Sequence, residues 1–251
     1  LQSCPLDRLN HRYLCVATAD FFNEIGPLQT FLDRGSSSSC TLVRSREPQM
    51  LRHHHVIEGE GLDPAPLLLL HGSGGTEHDM VPIAGQLAPT SMAISIRGAV
   101  PWEGGYAFFR RLEDRSVDER DLLHRADRLA EDIADIERHY HLPKPPIAIG
   151  FSNGAIMAAA LVMLYPRCLS GAILLRPLSP LADDPKKPVP GIPVLVIDGH
   201  HDERRMPGDG ARLAQRMERM GAVVTHHVLS TGHPVIEDDV RLARQWLRSR
   251  F

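Results

Sequence analysis

The sequence predicts an α/β fold with a mostly parallel central sheet and helices on both faces, and three observations support this. Apolar runs at 66–70, 92–96, 146–151, 171–175 and 193–198, and a β-branched run near 223–229, have the length and composition of buried strands. Helical patterns separate them, and strands that alternate with helices need crossover connections and therefore parallel pairing. The 251 residues suffice for one such domain, whereas a second full one is not expected.

Residues 1–50 stand apart from this pattern. They hold Cys4, Cys15 and Cys40, the tract Ser36-Ser37-Ser38-Ser39, and no sustained period of strand or helix, so they read as a loosely packed N-terminal extension. An extra helix around Phe21 to Phe31 is the alternative. The regular domain occupies 51–251, and no internal repeat is found in it. After the first buried run comes a short helix at 79–88. The clearest helix follows at 117–140, where Leu122, Ala126, Leu129, Ile133, Ile136 and Tyr140 recur at spacings of 4, 3, 4, 3 and 4, with charges on the opposite face. An Ala-rich helix is expected at 153–165, its Ala155, Ala158, Ala159 and Ala160 small enough for close packing on a sheet, and two more at 208–221 and 236–249.

Bulk properties narrow the function. A net charge of −3 creates no field that favours nucleic acid or an anionic membrane. No run of 18 apolar residues exists and no basic stretch precedes an apolar N-terminal core, so neither a membrane span nor a signal peptide is expected. The cysteines, Cys168 included, lack CxxC spacing and read as free thiols in a reducing, cytoplasmic setting.

The residues that carry chemistry begin with Gly150-Phe151-Ser152-Asn153-Gly154, set between an apolar run and the Ala-rich helix. G-x-S-x-G at a strand-to-helix turn is a nucleophile elbow: the turn lifts the serine hydroxyl above the sheet, and the two glycines lack the Cβ atoms that would collide there. The helix behind it aims its N-terminal N–H groups at an anion forming beside the serine. A serine hydroxyl alone is a poor nucleophile at neutral pH, so the elbow needs a base. Loops that follow the strands converge at one end of such a sheet, which selects Asp202 in Gly199-His200-His201-Asp202 and His233 in Ser230-Thr231-Gly232-His233-Pro234. Asp198 and Glu203 compete with Asp202, but Asp198 still lies within the strand and points into sheet packing. The order Ser152, Asp202, His233 is that of the α/β-hydrolases and not of the chymotrypsin or subtilisin types.

Donors for a tetrahedral oxyanion are expected from the loop His71-Gly72-Ser73-Gly74-Gly75, through the amide N–H of Ser73, and from the amide of Asn153. A phosphate-binding reading of that loop fails for want of the Walker lysine and of the G-x-G-x-x-G spacing. Trp102, Tyr106, Phe108 and Phe109, between Gly104-Gly105 and Arg110-Arg111, suit either the wall of an apolar acyl pocket or ordinary packing. Arg97, Arg110 and Arg111 fit surface ion pairs or anion recognition equally well. His53-His54-His55 and His200-His201 suggest no metal, because adjacent strand residues face opposite ways.

Taken together, L-L-L-L-H-G-S-G-G-T-E-H-D-M, I-R-G, F-F-R-R, I-G-F-S-N-G-A, L-L-R-P, G-H-H-D and T-G-H-P resemble the phospholipase/carboxylesterase (acyl-protein thioesterase-like) branch of the α/β-hydrolases. The nearest likeness is to bacterial hydroquinone-associated carboxylesterases, and it covers roughly residues 52–250. The resemblance implies a catalytic Ser152, Asp202 and His233, oxyanion donors at Ser73 and Asn153, and no metal or organic cofactor. The substrates it implies are carboxylic esters or thioesters of short to medium acyl chains. Two departures stand out: residues 1–50 have no counterpart, and the stretch from Asp202 to Pro207 (Glu-Arg-Arg-Met-Pro) is one residue longer than usual. The expected function is therefore a carboxylesterase-type serine hydrolase acting on a small-molecule ester. An acyl thioesterase or lysophospholipase on the same three residues and a non-catalytic ligand binder of the same fold remain alternatives, and the oligomeric state is open. A dienelactone hydrolase is disfavoured because serine, not cysteine, occupies the elbow.

Overall fold

The computed structural model describes residues 15–16, 54–59, 61, 65–114, 116–189 and 191–251. Its strands are β1 (Cys15–Val16), β2 (His55–Glu58), β3 (Leu67–Leu70), β4 (Ala93–Ile96), β5 (Val100–Trp102), β6 (Gly105–Ala107), β7 (Ile147–Phe151), β8 (Gly171–Leu175), β9 (Pro193–Gly199) and β10 (Val223–Leu229). The helices are α1 (Val81–Leu87), α2 (Glu119–His139), α3 (Asn153–Leu164), α4 (Asp209–Arg219) and α5 (Glu237–Arg250). Every buried run and helical pattern in the sequence corresponds to one of these elements.

Eight strands pair in the order β1-β2-β4-β3-β7-β8-β9-β10. The six from β4 to β10 are parallel, while β2 joins β4 and β1 joins β2 antiparallel. Side chains alternate across a strand, so runs that are apolar at every position serve two cores. Leu68 and Leu70 of β3, with Ala148, Leu174 and Val196, pack under α2, α3 and α4. Leu67 and Leu69, with Ile149, Ile173, Leu175 and Ile197, pack against α1 and α5. Helix α2 presents Leu122, Ala126, Leu129, Ile133 and Ile136 to the first core and is capped by the Asp118 carboxylate, which accepts the Asp121 N–H at 3.1 Å. Helix α3 is buried from Asn153 to Met163. It lies so close to β3 that a Cβ on Gly154 would sit 2.1 Å from the Leu70 carbonyl oxygen.

The periodicity analysis did not resolve two features. Strand β2 adds to the sheet edge antiparallel, and β5 and β6 form a separate hairpin over Val100–Trp102 and Gly105–Ala107. Glu103 and Gly104 turn this hairpin with φ of 44° and 83°, the pair of positive values found in a two-residue turn of type I′.

Of residues 1–50 only Cys15–Val16 falls within the described residues, as the edge strand β1. The Phe21 to Phe31 segment, the serine tract, Cys4 and Cys40 lie outside them. Cys168 carries a free thiol, which burial pushes up to about 12. No helix among the described residues is long and apolar enough to cross a membrane.

Candidate active site

The loops after β3, β7, β9 and β10 meet at one end of the sheet, and each brings one part of the site. Ser152, between β7 and α3, has φ 52° and ψ −108°, a strained conformation for a residue with a side chain. Its surroundings enforce it. A Cβ at position 150 would lie 2.5 Å from the Gly154 carbonyl oxygen, and the Ser152 N–H donates to the Leu175 carbonyl at 2.9 Å. Both glycines of the pentapeptide are thus required by close backbone approach.

The other two members follow the last two strands. His233 Nε2 lies 2.9 Å from Ser152 Oγ, and His233 Nδ1 lies 2.7 Å from Asp202 Oδ2. A buried carboxylate accepts from Nδ1–H, which leaves Nε2 as the acceptor for the serine hydroxyl. Burial holds the His233 pKa below the usual histidine value. The Asp202 carboxylate opposes this shift, and Arg205 and Arg204 reinforce it. Asp198, the sequence competitor for the acid, is committed elsewhere: its Oδ2 meets His226 Nε2 at 2.7 Å, and the carboxylate abuts Gly210. Glu203 is exposed.

The β3 loop lies beside the elbow, since a Cβ on Gly72 would meet Phe151 Cδ1 at 2.9 Å and Ser152 Cβ at 3.7 Å. His71 shapes this loop from within: its buried ring accepts the Gly98 N–H on Nε2 at 2.9 Å, so Nδ1–H donates to the Gly72 carbonyl at 2.7 Å. Gly74 and Gly75 amides are engaged by Tyr106 and Gly72 carbonyls, whereas the Ser73 and Asn153 N–H groups have no partner among the described residues. The Asn153 side chain has its own task. Its Oδ1 accepts the Phe108 N–H at 2.7 Å and its Nδ2 donates to the Phe109 carbonyl at 3.5 Å, tying the segment after β6 to the elbow.

That segment places the aromatic cluster. Phe108 and Phe109 are core residues at 3% and 0% exposed, while Trp102 and Tyr106 stay half-buried on the hairpin. Arg97 is ion-paired with the buried Glu77, whose carboxyl its guanidinium holds down at about 2, and lies 4.8 Å from the centroid of the Tyr106 ring. Arg110 pairs with Asp118 and Asp121.

Two arginines matter here that the sequence did not single out. Arg176, just after β8, is fully buried and makes a bidentate pair with Asp239 at 2.7 and 2.8 Å. Its remaining N–H groups reach the Ile197, Gly232 and Pro234 carbonyls, the last two on either side of His233. Arg205 reaches the nucleophile itself, its Nη2–H donating to Ser152 Oγ at 3.1 Å. The signals for them were the motif L-L-R-P and the Asp202-to-Pro207 spacing that the resemblance marked as longer than usual.

The chain as a whole is similar to known proteins. Over 195 residues the chain is 32% identical to the putative hydrolase MhqD of Bacillus subtilis, covering 77% of this chain and 97% of that protein. The Bacillus cereus carboxylesterase has a crystal structure that superposes with a TM-score of 0.76 at 33% identity, over 80% of this chain and 95% of that one. The chain belongs to the carboxylesterase branch of the α/β-hydrolases. A second carboxylesterase, from Mesorhizobium loti, matches with a TM-score of 0.74 at 30% identity, over 78% of this chain and 94% of that one. No protein-family model matches the chain. Membership makes this protein an esterase-type hydrolase.

Proposed function

We propose that this protein is a serine carboxylesterase in which residues 51–251 form the catalytic domain and Ser152, His233 and Asp202 act as nucleophile, base and acid. The observation that carries the reading is the continuous hydrogen-bonded chain from Asp202 through His233 to Ser152, at 2.7 and 2.9 Å. Ser152 Oγ attacks the ester carbonyl carbon while His233 Nε2 takes its proton, and the Oγ–C bond forms. The carbonyl oxygen becomes an anion held by the Ser73 and Asn153 N–H groups, both of which lack another partner among the described residues. Collapse expels the alcohol, which leaves with the proton from His233. Water then attacks the acyl-enzyme by the same route, releasing the acid and restoring the serine. The substrates are carboxylic esters of short to medium acyl chains, the range that the family resemblance implies.

A fluorophosphonate probe is expected to label the protein at Ser152, read by mass spectrometry of the modified peptide, and to leave Ser152→Ala unlabelled. Labelling of the variant, or none of the parent protein, refutes the assignment.

The pH profile follows from the base. Only neutral His233 accepts the serine proton, and its pKa lies below 6.5 because burial disfavours the cation. The base therefore stays competent as pH falls through the ordinary histidine range, and kcat/KM loses half its plateau only at a pH below 6.5. An acid limb centred above that value contradicts His233 as the base in this environment.

A further inference from the structure

From the placement of Arg205 we infer that this esterase selects esters carrying a carboxylate a few bonds from the scissile carbonyl, on the acyl or the alcohol side. The inference rests on Ser152 being the nucleophile. Arg205 is half-buried, and its guanidinium is fixed by two backbone acceptors: Nε–H donates to the Arg176 carbonyl at 2.8 Å and Nη1–H to the Arg204 carbonyl at 3.0 Å. A third N–H, on Nη2, reaches Ser152 Oγ at 3.1 Å. An arginine has five N–H donors, so two remain for a ligand, one on each terminal nitrogen. Among the described residues no carboxylate lies within ion-pair distance of this guanidinium. Arg111 reinforces the positive field from close by, its own guanidinium 5.7 Å from the Phe109 ring centroid.

A cation beside a nucleophile is costly to leave unpaired in a half-buried site. Burial pushes the Arg205 pKa down to about 10, Arg111 adds to the shift, and Asp202, Asp209 and Asp198 oppose it from beyond ion-pair distance, so the group still keeps its charge at neutral pH. A substrate carboxylate supplies a directly paired counter-charge and accepts the two remaining donors as a fork, a geometry that arginine matches and lysine does not. Because Nη2 already touches Ser152 Oγ, that carboxylate has to sit near the reacting carbonyl. The turn that follows Asp202, in which the Arg204 N–H donates to Asp202 Oδ1 at 2.9 Å, carries Arg205 to this place.

Two substrate pairs test this and separate the two sides of the ester. Ethyl hydrogen succinate against ethyl butyrate places the charge on the acyl side, and O-acetylglycolate against ethyl acetate places it on the alcohol side. The ratio of kcat/KM, charged over neutral, is expected to exceed about tenfold for at least one pair in the unaltered protein. That ratio, whatever the absolute rates, is expected to fall by about tenfold or more in Arg205→Gln and by less in Arg205→Lys. Ratios at or below one for both pairs overturn the proposal without any variant, and so does a ratio that Arg205→Gln leaves unchanged. Fluorophosphonate labelling of each variant reports whether its site is folded. Failure of the serine-esterase reading looks different: none of the four esters is hydrolysed and Ser152 takes no label.

Discussion

Alanine at His233 is expected to lower kcat by about 10⁵- to 10⁶-fold with little change in KM, because the serine loses the acceptor of its proton in both halves of the reaction. Ser152→Ala should fall to the same level. The two substitutions together should be no worse than either, since nucleophile and base act as one unit and their effects do not add. Asp202→Asn keeps a neutral partner on Nδ1 but reverses the hydrogen bond and so the tautomer, and roughly 10⁴-fold is expected there. The structural basis is the pair of contacts at 2.7 and 2.9 Å, which leave His233 no other strong partner. What is expected to survive in each variant is stabilisation by the proposed oxyanion donors, the Ser73 and Asn153 amides, and by binding. Steady-state hydrolysis of p-nitrophenyl butyrate, measured for all variants purified alike, checks the series. Retention of activity within tenfold in His233→Ala would falsify the assignment of the base.

The fold and the three-residue chain were legible because each left a local trace. A parallel strand buried on both faces reads as an unbroken apolar run, and Leu67–Leu70 serves two cores for that reason. The elbow announces itself through its two glycines, each required by a backbone atom closer than a Cβ allows. His233 and Asp202 were found by position after a strand, which topology dictates. The remaining features depend on contacts between distant segments. The β5–β6 hairpin is short and half-exposed, so its alternation is too brief to register, although the turn at Glu103-Gly104 was a usable sign. Phe108 and Phe109 offered two readings in sequence, and their burial follows from the Asn153 side chain drawing their backbone onto the elbow. Arg176 and Arg205 have no periodic signature. An arginine in a sequence reads as surface, and only the carbonyls and carboxylate gathered around it from other strands reveal otherwise.

Arg176→Met is expected to destabilise the protein by about 3–5 kcal/mol. Arg176 and Asp239 are both 0% exposed, so removing the cation strands a buried carboxylate with no counter-charge. Asp239 also accepts the Ile236 N–H at 2.8 Å at the start of α5, so its charge is needed there as a cap and cannot simply be neutralised without loss. The backbone at Arg176 has φ 56°, a left-handed conformation that costs a residue with a side chain roughly 1–3 kcal/mol, and the network of bonds made by its own guanidinium holds it there. Urea denaturation gives the loss directly, and for a chain of this size it corresponds to a fall in Tm of roughly 6–20 °C. The double variant Arg176→Met with Asp239→Leu is expected to be more stable than Arg176→Met alone, because no unpaired charge remains. It should not regain the activity. The Gly232 and Pro234 carbonyls lose their donors in both variants, and these two residues flank His233, whose Nε2 lies 2.9 Å from Ser152 Oγ, so the proposed proton transfer is expected to lose its geometry. Stability and kcat are thus predicted to separate in the double variant, with the first partly restored and the second still low. A double variant that recovered both would show that the loop carrying His233 is positioned without Arg176.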